Sequence, residues 1–457
     1  MDTCLENSTV VMFENGLSKN VEIDMKTTES EKFLNIGEDQ KFKTETKPKV
    51  TTLQKTSTYL MCFLISFVIG YSFTSYGLIV SHGLKFYSTG FFPENHELLK
   101  NLCPAVLYFG SSVGTFAMLM IKQYSHLKAI HFSSFLFAIG YILQSVYPHI
   151  MMIFFTRFLI GIASGVCCMV IPQVLYFSCR QGIRGLITSL FPFFIMVGLT
   201  SAVALMPLLT PLTIYPFNAI PLVAIVASIL CSGWTYKLED VKKEKGFIEV
   251  TKFMFQSHAL KSTISVILAH VFQKTTGVDF IGNFSGSLFT GDYAQIKNIS
   301  PLIVAGVANL ATGFLPDIFG RKLPIVVTLS LLCLVTLSMG IWGTNVWSLI
   351  LFTIVYNGGL GAVPYYYQNE TVPAKYIPDI NEIATFSNVL LALFVALYAA
   401  FLLSPSNTTI WYTFSGLSLI GAIIMGITMP ETKGTPIENR DFIKNWFNFS
   451  FKNKNLG

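Results

Sequence analysis

The chain has 457 residues, of which 52% are hydrophobic and only 12% are charged, and its formal net charge is +6. This composition excludes an ordinary soluble domain. The positive charge does not indicate nucleic-acid binding, because the charged residues lie between long apolar segments and at the ends of the chain.

The first 58 residues are polar, mixed in charge and rich in Thr, Glu and Lys. They contain no apolar core before a cleavage site, so they do not resemble a signal peptide. We expect residues 1–58 to form a disordered cytosolic tail, because such a composition cannot bury enough apolar surface to fold.

Twelve apolar segments follow, and each is close to the length of about 20 residues that a helix needs to cross a bilayer. They are Tyr59–Val80, Cys103–Ile121, Ile130–Tyr147, Ile150–Ile171, Ile187–Leu205, Phe217–Tyr236, Thr263–Leu288, Ile299–Leu315, Leu323–Ile341, Val346–Tyr366, Ala384–Leu403 and Ile410–Met429. The longest internal polar stretch, at 237–258, follows the sixth segment. The sequence therefore predicts an all-α membrane protein with six-helix bundles at 59–236 and 259–429, a short cytosolic connecting loop at 237–258 and a cytosolic tail at 430–457.

The charges are sorted by side of the membrane. If the N-terminus is cytosolic, nearly all Lys and Arg residues fall in the tails and cytosolic loops, the exceptions being Lys85, Lys100, Arg157, Lys274 and Lys297. This asymmetry is the one that the positive-inside rule describes, so we expect both termini in the cytosol.

Other kinds of chemistry have little support in the sequence. The eight cysteines show no spacing typical of a zinc site or a disulfide framework. No nucleotide-binding loop, nucleophile or pair of catalytic carboxylates is recognisable. We therefore expect no enzymatic activity, no catalytic residue, no metal, no cofactor and no nucleic-acid partner, and we expect the chain to contact membrane lipid and a small-molecule substrate.

Several short motifs occur in a consistent order along the chain. Arg157-Phe-Leu-Ile-Gly161 opens the fourth segment, Gln273-Lys-Thr-Thr-Gly-Val-Asp279 lies in the seventh, Asp317-Ile-Phe-Gly-Arg-Lys322 precedes the ninth, Phe386-Ser-Asn388 lies in the eleventh, and Pro430-Glu-Thr-Lys-Gly434 follows the twelfth. Over residues 59–440 the chain resembles the sugar porters of the major facilitator superfamily, which include facilitative glucose transporters and insect trehalose transporters. The resemblance implies the major facilitator fold and transport of a sugar.

Four in-segment residues are candidates for sugar contact: Gln273, Asn283, Tyr365 and Asn388. A sugar needs amide donors and acceptors, and an amide inside an apolar helix is unfavourable unless it faces a cavity or a partner. The resemblance places Gln273 at the family's first seventh-segment Gln and Tyr365 at its tenth-segment aromatic position. The alternative is that these side chains form hydrogen bonds between packed helices.

Two departures from the family pattern leave the substrate open. Lys274 replaces the second seventh-segment Gln and Asp279 replaces the Asn, and an ionisable pair inside the membrane suits an anionic or zwitterionic substrate. The alternative is that Asp279 lies near external water while Lys274 snorkels. Pro192 occupies the place of a fifth-segment Gln, which also weakens the case for a hexose.

Charged residues at the cytosolic membrane edge are expected to form a gate that joins helix ends of different bundles when the site faces outward. These gate residues are Arg184, Asp317, Arg321, Lys322, Glu370 and Glu431. The alternative is that the basic residues only determine topology.

The sequence thus favours a facilitative uniporter for a hexose or trehalose in the plasma membrane, functional as a monomer. No Asp or Glu lies within the first six segments, although Asp279 and His270 keep proton symport open. The alternatives are a carrier of a charged or polyol solute that uses Lys274 and Asp279, and a non-transporting sugar sensor. The external sequons at Asn298 and Asn407 are glycosylation candidates.

Overall fold

The structure, a computed structural model, is helical through most of the chain that it describes. The described residues are 51–87, 96–146, 150–179, 184–205, 214–235, 241–242, 247–257, 259–284, 288–289, 293–313, 315–373, 376–402, 408–433 and 442–443. Most of the expected N-terminal tail lies outside this part of the chain. Residues 52–58, which were predicted as tail, belong instead to the first helix.

The first half of the chain contains six long helices that match the first six predicted segments. They are α1 (Thr52–Tyr87), α2 (His96–Met120), α3 (His126–Val146), α4 (Ile150–Ser178), α5 (Arg184–Leu205) and α6 (Ile214–Ser232). Most extend beyond the apolar segment, because a helix continues into the polar region until turn-forming residues end it.

The second half contains ten helices, because two of its six membrane segments are broken and two short helices lie outside those segments. They are α7 (Phe247–Met254), α8 (Leu260–Lys274), α9 (Val278–Phe284), α10 (Ala294–Thr312), α11 (Leu315–Phe319), α12 (Lys322–Trp342), α13 (Val346–Asn357), α14 (Val363–Tyr367), α15 (Ile377–Leu402) and α16 (Thr409–Thr428). The seventh and tenth segments, each predicted as one continuous helix, are both broken, into α8 with α9 and α13 with α14.

The break between α8 and α9 has a specific backbone cause. Gly277 adopts φ +92°, a conformation that side chains other than glycine rarely take. A Cβ atom at this position would collide with the Phe414 ring. Hydrophobicity alone cannot reveal such a break, because apolar residues continue on both sides of it.

Eight of the described helices are long and apolar enough to cross a membrane, and two shorter apolar helices, Phe217–Ser232 and Val346–Asn357, accompany them. Large apolar side chains are exposed along the outer faces, as lipid contact requires. Trp342 and Trp347, at the turn between α12 and α13, are 78% and 74% exposed, a position typical of the membrane–water interface. The protein is an all-α integral membrane protein with twelve membrane segments in two six-helix bundles.

Each half has its own apolar core. One core joins α1 to α6, and the other joins α8, α9 and α12 to α16, while Ala392 and Ala396 of α15 extend into the first core. The halves meet where α2 packs against α15, α5 against α10 and α1 against α9. These three contacts surround the space between the halves.

The connection between the halves is more ordered than a loop. Strand β1 (Gln123–Tyr124), which follows α2, pairs antiparallel with β2 (Val241–Lys242), with Tyr124 opposite Val241. Helix α7 then precedes α8. The region predicted as a loop at 237–258 therefore contains a strand and a helix, both too short for a sequence pattern to identify.

Candidate functional site

A cavity of about 130 Å³ lies between the two halves. One water molecule needs roughly 10–15 Å³, so the cavity admits a small solute. Its walls are formed by α1, α2, α4 and α5 on one side and by helices from α8 to α15 on the other. All six predicted substrate-binding residues line it: Gln273, Lys274, Asp279, Asn283, Tyr365 and Asn388.

Gln273 and Asn388, on α8 and α15, are joined directly. The Asn388 side-chain nitrogen donates to Gln273 Oε1 at 2.8 Å, and Gln273 Nε2 donates to the carbonyl of Leu360 at 2.7 Å. Leu360 lies in the break between α13 and α14. The two amides therefore line the cavity and also hold three membrane segments together.

His270 extends this network away from the cavity. Asn388 Nδ2 donates to His270 Nδ1 at 3.1 Å, so the ring proton resides on Nε2, which donates to Gln368 Oε1 at 2.8 Å. The His270 ring also lies edge-on to Tyr365, with centroids 5.3 Å apart. The histidine thus fixes the orientation of the Asn388 amide from behind.

Lys274 and Asp279 form an ion pair across the break between α8 and α9. Lys274 Nζ lies 2.9 Å from Asp279 Oδ1, and the two side chains are 15% and 11% exposed. Lys274 lies in the last turn of α8 and Asp279 in the first turn of α9, where each charge is favoured by the dipole of its helix. The pair therefore contributes no net charge to the cavity.

Asn283 connects the two halves beside the cavity. Its side-chain nitrogen donates to the Tyr108 hydroxyl on α2 at 3.1 Å and to the Asp279 carbonyl at 2.7 Å. Tyr365 contacts the other half through Phe191 of α5, with ring centroids 6.4 Å apart. Both predicted residues thus lie where the two halves meet.

A second contact between the halves lies toward the other end of α2 and α15. The Tyr124 hydroxyl, just after α2, is 3.1 Å from Gln173 Oε1 and 3.2 Å from Oε1 of Glu382 on α15. Burial, together with the Glu382 carboxylate, raises the pKa of Tyr124 well above its ordinary value of 10, so the hydroxyl keeps its proton at neutral pH. Sequence reasoning missed this contact.

Arg321 and Glu370, two predicted gate residues, form a bidentate ion pair. Arg321 Nε and Nη2 donate to the two Glu370 carboxylate oxygens at 2.9 and 2.8 Å, and the Thr432 hydroxyl donates to Glu370 at 2.7 Å. The two charged side chains are 12% and 11% exposed. All three residues belong to the second half of the chain, so this pair joins helix ends within one bundle.

Glu431, a third predicted gate residue, binds the start of α12. Its carboxylate accepts from the backbone N–H groups of Arg321 at 2.9 and 3.0 Å and of Lys322 at 3.2 Å. A carboxylate is favoured there because the first N–H groups of a helix have no partner within the helix. Lys322, also a predicted gate residue, thus contributes its backbone to this contact.

The remaining predicted residues are only partly described. Arg184 and Asp317 lie in α5 and α11, but their side chains are outside the described part of the chain, as is Asn407. Asn298, the other glycosylation candidate, is 4% exposed, and its amide bonds both the N–H and the carbonyl of Phe289. In this structure the Asn298 side chain is buried and both of its polar atoms are hydrogen-bonded.

Several cavity residues were not predicted, among them Asn309, Asn357, Tyr108 and Phe191. Asn309 donates to the Asn357 side-chain oxygen at 3.1 Å. A polar residue within an apolar segment was the available signal, but the sequence does not reveal which face of the helix carries it. Among the described residues, no three His, Cys, Asp or Glu side chains converge as a metal site would require.

The family model described as "Sugar (and other) transporter" matches residues 58–240 and 232–442 of the chain. The curated relatives that match have low sequence identity to the chain. The facilitated trehalose transporter Tret1 of Polypedilum vanderplanki is 23% identical over 39% of the chain and 39% of its own length. Tret1 of Apis mellifera ligustica is 21% identical over 44% of the chain and 43% of its own length. The chain thus spans about two-fifths of the length of the curated relatives that it matches.

Solved structures support the fold over a larger part of the chain. The proton:xylose symporter XylE bound to 6-bromo-6-deoxy-D-glucose superimposes with a TM-score of 0.70 and 16% identity, over 84% of this chain and 98% of that one. The partially occluded inward-open xylose transporter XylE from E. coli gives a TM-score of 0.66 at 16% identity, over 84% and 99%. At this identity the likeness establishes the major facilitator fold but does not identify a substrate.

Proposed function

Because the chain belongs to the family of sugar (and other) transporters, we propose that it is a facilitative carrier that moves a hexose or trehalose across the plasma membrane by alternating access. The observation that carries this proposal is the cavity between the two halves, which Gln273, Asn388 and Asn283 line with amides. A hydroxyl-rich solute needs such groups when it leaves water. The chain is a carrier rather than an enzyme and works as a monomer.

Contacts on both sides of the cavity suit alternating access. Tyr124 and Glu382 join the halves toward one end, and Gln295 Nε2 on α10 donates to the Val203 carbonyl on α5 at 2.7 Å toward the other. Each hydrogen bond is worth about 1 kcal/mol, so these polar contacts alone do not lock either end of the cavity. In this proposal the two bundles, at 59–236 and 259–429, are the moving bodies. The connection at 237–258 joins them, and both termini are cytosolic.

The uniport mechanism rests on the first half of the chain. Between Leu102 and Ser232 there is no Asp or Glu. The buried cation of that half, Arg157, donates to the backbone carbonyl of Ser72. An arginine does not release its proton in proteins, so it cannot relay a proton during transport.

The proposed cytosolic gate is part of the same proposal. Arg321, Glu370 and Glu431 stabilise one end of the second half. Opening inward then separates this end from the first half while the Arg321–Glu370 ion pair stays intact.

A second candidate function uses the ion pair in the cavity. Lys274 and Asp279, 2.9 Å apart, offer opposite charges to a zwitterionic or charged solute. A third candidate is a sensor that binds sugar without moving it.

Uptake into proteoliposomes of the purified protein tests these functions. Labelled glucose, trehalose and a cationic probe are compared with and without a proton gradient, and Gln273→Ala is the matched low-activity variant. We expect saturable sugar flux that is indifferent to the gradient. Flux that rises with the gradient would replace uniport by symport, cation flux would favour the second candidate, and sugar binding without flux would identify a sensor.

A further inference from the structure

The cavity has two chemically unlike walls, and the wall from the first half is almost entirely apolar. Helix α5 contributes a continuous apolar strip to this wall: Phe191, Pro192, Ile195, Met196 and Leu199. The strip carries no side-chain donor or acceptor. Ser111, a polar neighbour on α2, already donates to the carbonyls of Leu107 and Gly161 at 3.0 Å each.

The wall from the second half is rich in hydrogen-bond acceptors whose partners are absent from the described part of the chain. Asn388 and Asn283 use their side-chain nitrogens on protein groups, and no described residue donates to their side-chain oxygens. The side-chain oxygen of Asn309, a residue that is 2% exposed, is buried without a described donor.

These acceptors define the chemistry of a ligand. The side-chain oxygens of Asn388 and Asn283 are available as acceptors, so this wall favours an occupant that brings hydrogen-bond donors. Hydroxyl groups and ammonium groups both qualify. Because Lys274 already balances Asp279, the cavity has no net charge to compensate a cation, and this favours a neutral, hydroxyl-bearing ligand.

On the premise of the proposed transport function, we propose that the cavity selects a sugar with hydroxyls on one side and an apolar group on the other. Its cargo is a hexose glycoside with an aryl or alkyl substituent, in preference to trehalose. The hexose ring donates to Asn388 and Asn283, and the substituent packs on the α5 strip. Trehalose carries hydroxyls on both rings, so its second ring would bury hydroxyls against Phe191 and Met196, at a loss of about tenfold in affinity for each one left unpaired.

Calorimetric binding to the purified full-length protein tests the preference. Phenyl α-glucoside keeps one glucose ring and the anomeric configuration of trehalose and replaces the second ring by an apolar one. A comparison of phenyl α-glucoside with trehalose therefore tests the contribution of the apolar strip of α5. We expect phenyl α-glucoside to bind at least about tenfold more tightly than trehalose, with glucose between them. We also expect saturable flux of phenyl α-glucoside in proteoliposomes.

The outcomes separate this inference from the function on which it rests. If trehalose binds as tightly as phenyl α-glucoside or more tightly, and is transported, the inference is wrong and sugar transport stands. Tight binding of phenyl α-glucoside without flux would show that it is not cargo. If no sugar binds to protein that is shown to be folded, the transport proposal itself fails.

A pair of variants at one position checks which wall sets the preference. Met196→Gln adds an amide to the apolar strip at nearly constant volume, and we expect it to reduce the preference for phenyl α-glucoside by about tenfold. Met196→Leu keeps the strip apolar and should leave the preference unchanged. Equal ratios for folded Met196→Gln and Met196→Leu protein would show that the strip does not contact the ligand.

A series of deoxy and deoxyfluoro glucose analogues tests the polar wall. Fluorine accepts hydrogen bonds weakly and donates none, so a deoxyfluoro glucose keeps the shape of the hydroxyl but loses its donor. We expect each deoxyfluoro analogue to bind as weakly as the corresponding deoxy analogue at the positions that contact the amides. Deoxyfluoro analogues that bind like glucose itself would mean that the wall presents donors, contrary to the inference.

Discussion

The two halves of the protein hold their helices together by different means. In the first half, α1 meets α5 at Gly70 and Gly198, where a Cβ atom would strike the backbone of the facing helix. In the second half, Gln273 of α8 is joined through its amide to Asn388 of α15 and to the carbonyl of Leu360 in the break between α13 and α14. Close backbone approach leaves apolar side chains to face the cavity, whereas an amide network places polar atoms there. The comparison shows how one fold can build a cavity with an apolar wall and a polar wall.

The largest expected effect comes from a substitution, Gly198→Ala, that disrupts the packing of α1 against α5 in the first half. A Cβ atom at Gly198 would meet the carbonyl of Phe67 and the N–H of Tyr71, both backbone groups that cannot move aside. We expect Gly198→Ala to lower the free energy of unfolding by about 3 kcal/mol. Chemical unfolding in detergent measures it. Gly426→Ala in α16, with nothing within 4 Å of its Cβ, is the control, and equal stability of the two variants would contradict this account of the first half.

The next largest effect is expected when one charge is removed from the polar wall of the cavity. Lys274→Met leaves Asp279 without its counter-ion in a largely buried position, and we expect a loss of about 2 kcal/mol in stability. Lys274→Met combined with Asp279→Asn removes both charges and should recover most of that loss. Thermal unfolding of the single and double variants checks this. A double variant less stable than the single one would show that the charges act independently.

A smaller effect concerns the amide network itself. Gln273→Ala removes the partner of Asn388 and of the Leu360 carbonyl, and we expect the KM for sugar uptake to rise about tenfold, equivalent to about 1.4 kcal/mol. Ser111→Ala in the first half removes a hydroxyl that bonds only helix backbone among the described residues and should change KM far less. Similar KM values for both variants would remove the distinction between the two walls.

The smallest effect tests the contact that joins the halves at Tyr124. Tyr124→Phe deletes the hydroxyl that bonds Gln173 and Glu382. We expect the halves to separate at this end of the cavity about fivefold more often, which corresponds to a loss of about 1 kcal/mol in the free energy of the contact. Thiol labelling of Thr385→Cys, in the cavity wall, reports the opening. Tyr59→Phe is the control, since the Tyr59 hydroxyl donates to the Ser178 carbonyl within the first half. Unchanged labelling in Tyr124→Phe would show that the contact does not restrain opening.

Much of the helical framework could be predicted from apolar segment length. The prediction for Ile187–Leu205 falls within α5, and that for Ile150–Ile171 begins where α4 begins. The seventh segment was predicted wrongly as one helix, because its break depends on the backbone of Gly277 beside Phe414, a contact between distant residues.

The candidate site could be predicted only where a polar residue stood out in an apolar segment. Gln273 and Asn388 were found in this way and lie in contact. Glu382 was missed, because it lies just outside the predicted eleventh segment and its partner Tyr124 is 258 residues away.

The sequence by itself determined how many segments cross the membrane and roughly where, because the bilayer core requires about 20 apolar residues for each helix. Only the tertiary structure decided which polar side chains share one cavity. Gln273 and Asn388 are 115 residues apart, and their meeting depends on how α8 and α15 pack and rotate. Lipid imposes a length on each helix, but the rotation of the helix about its axis is set by its neighbours.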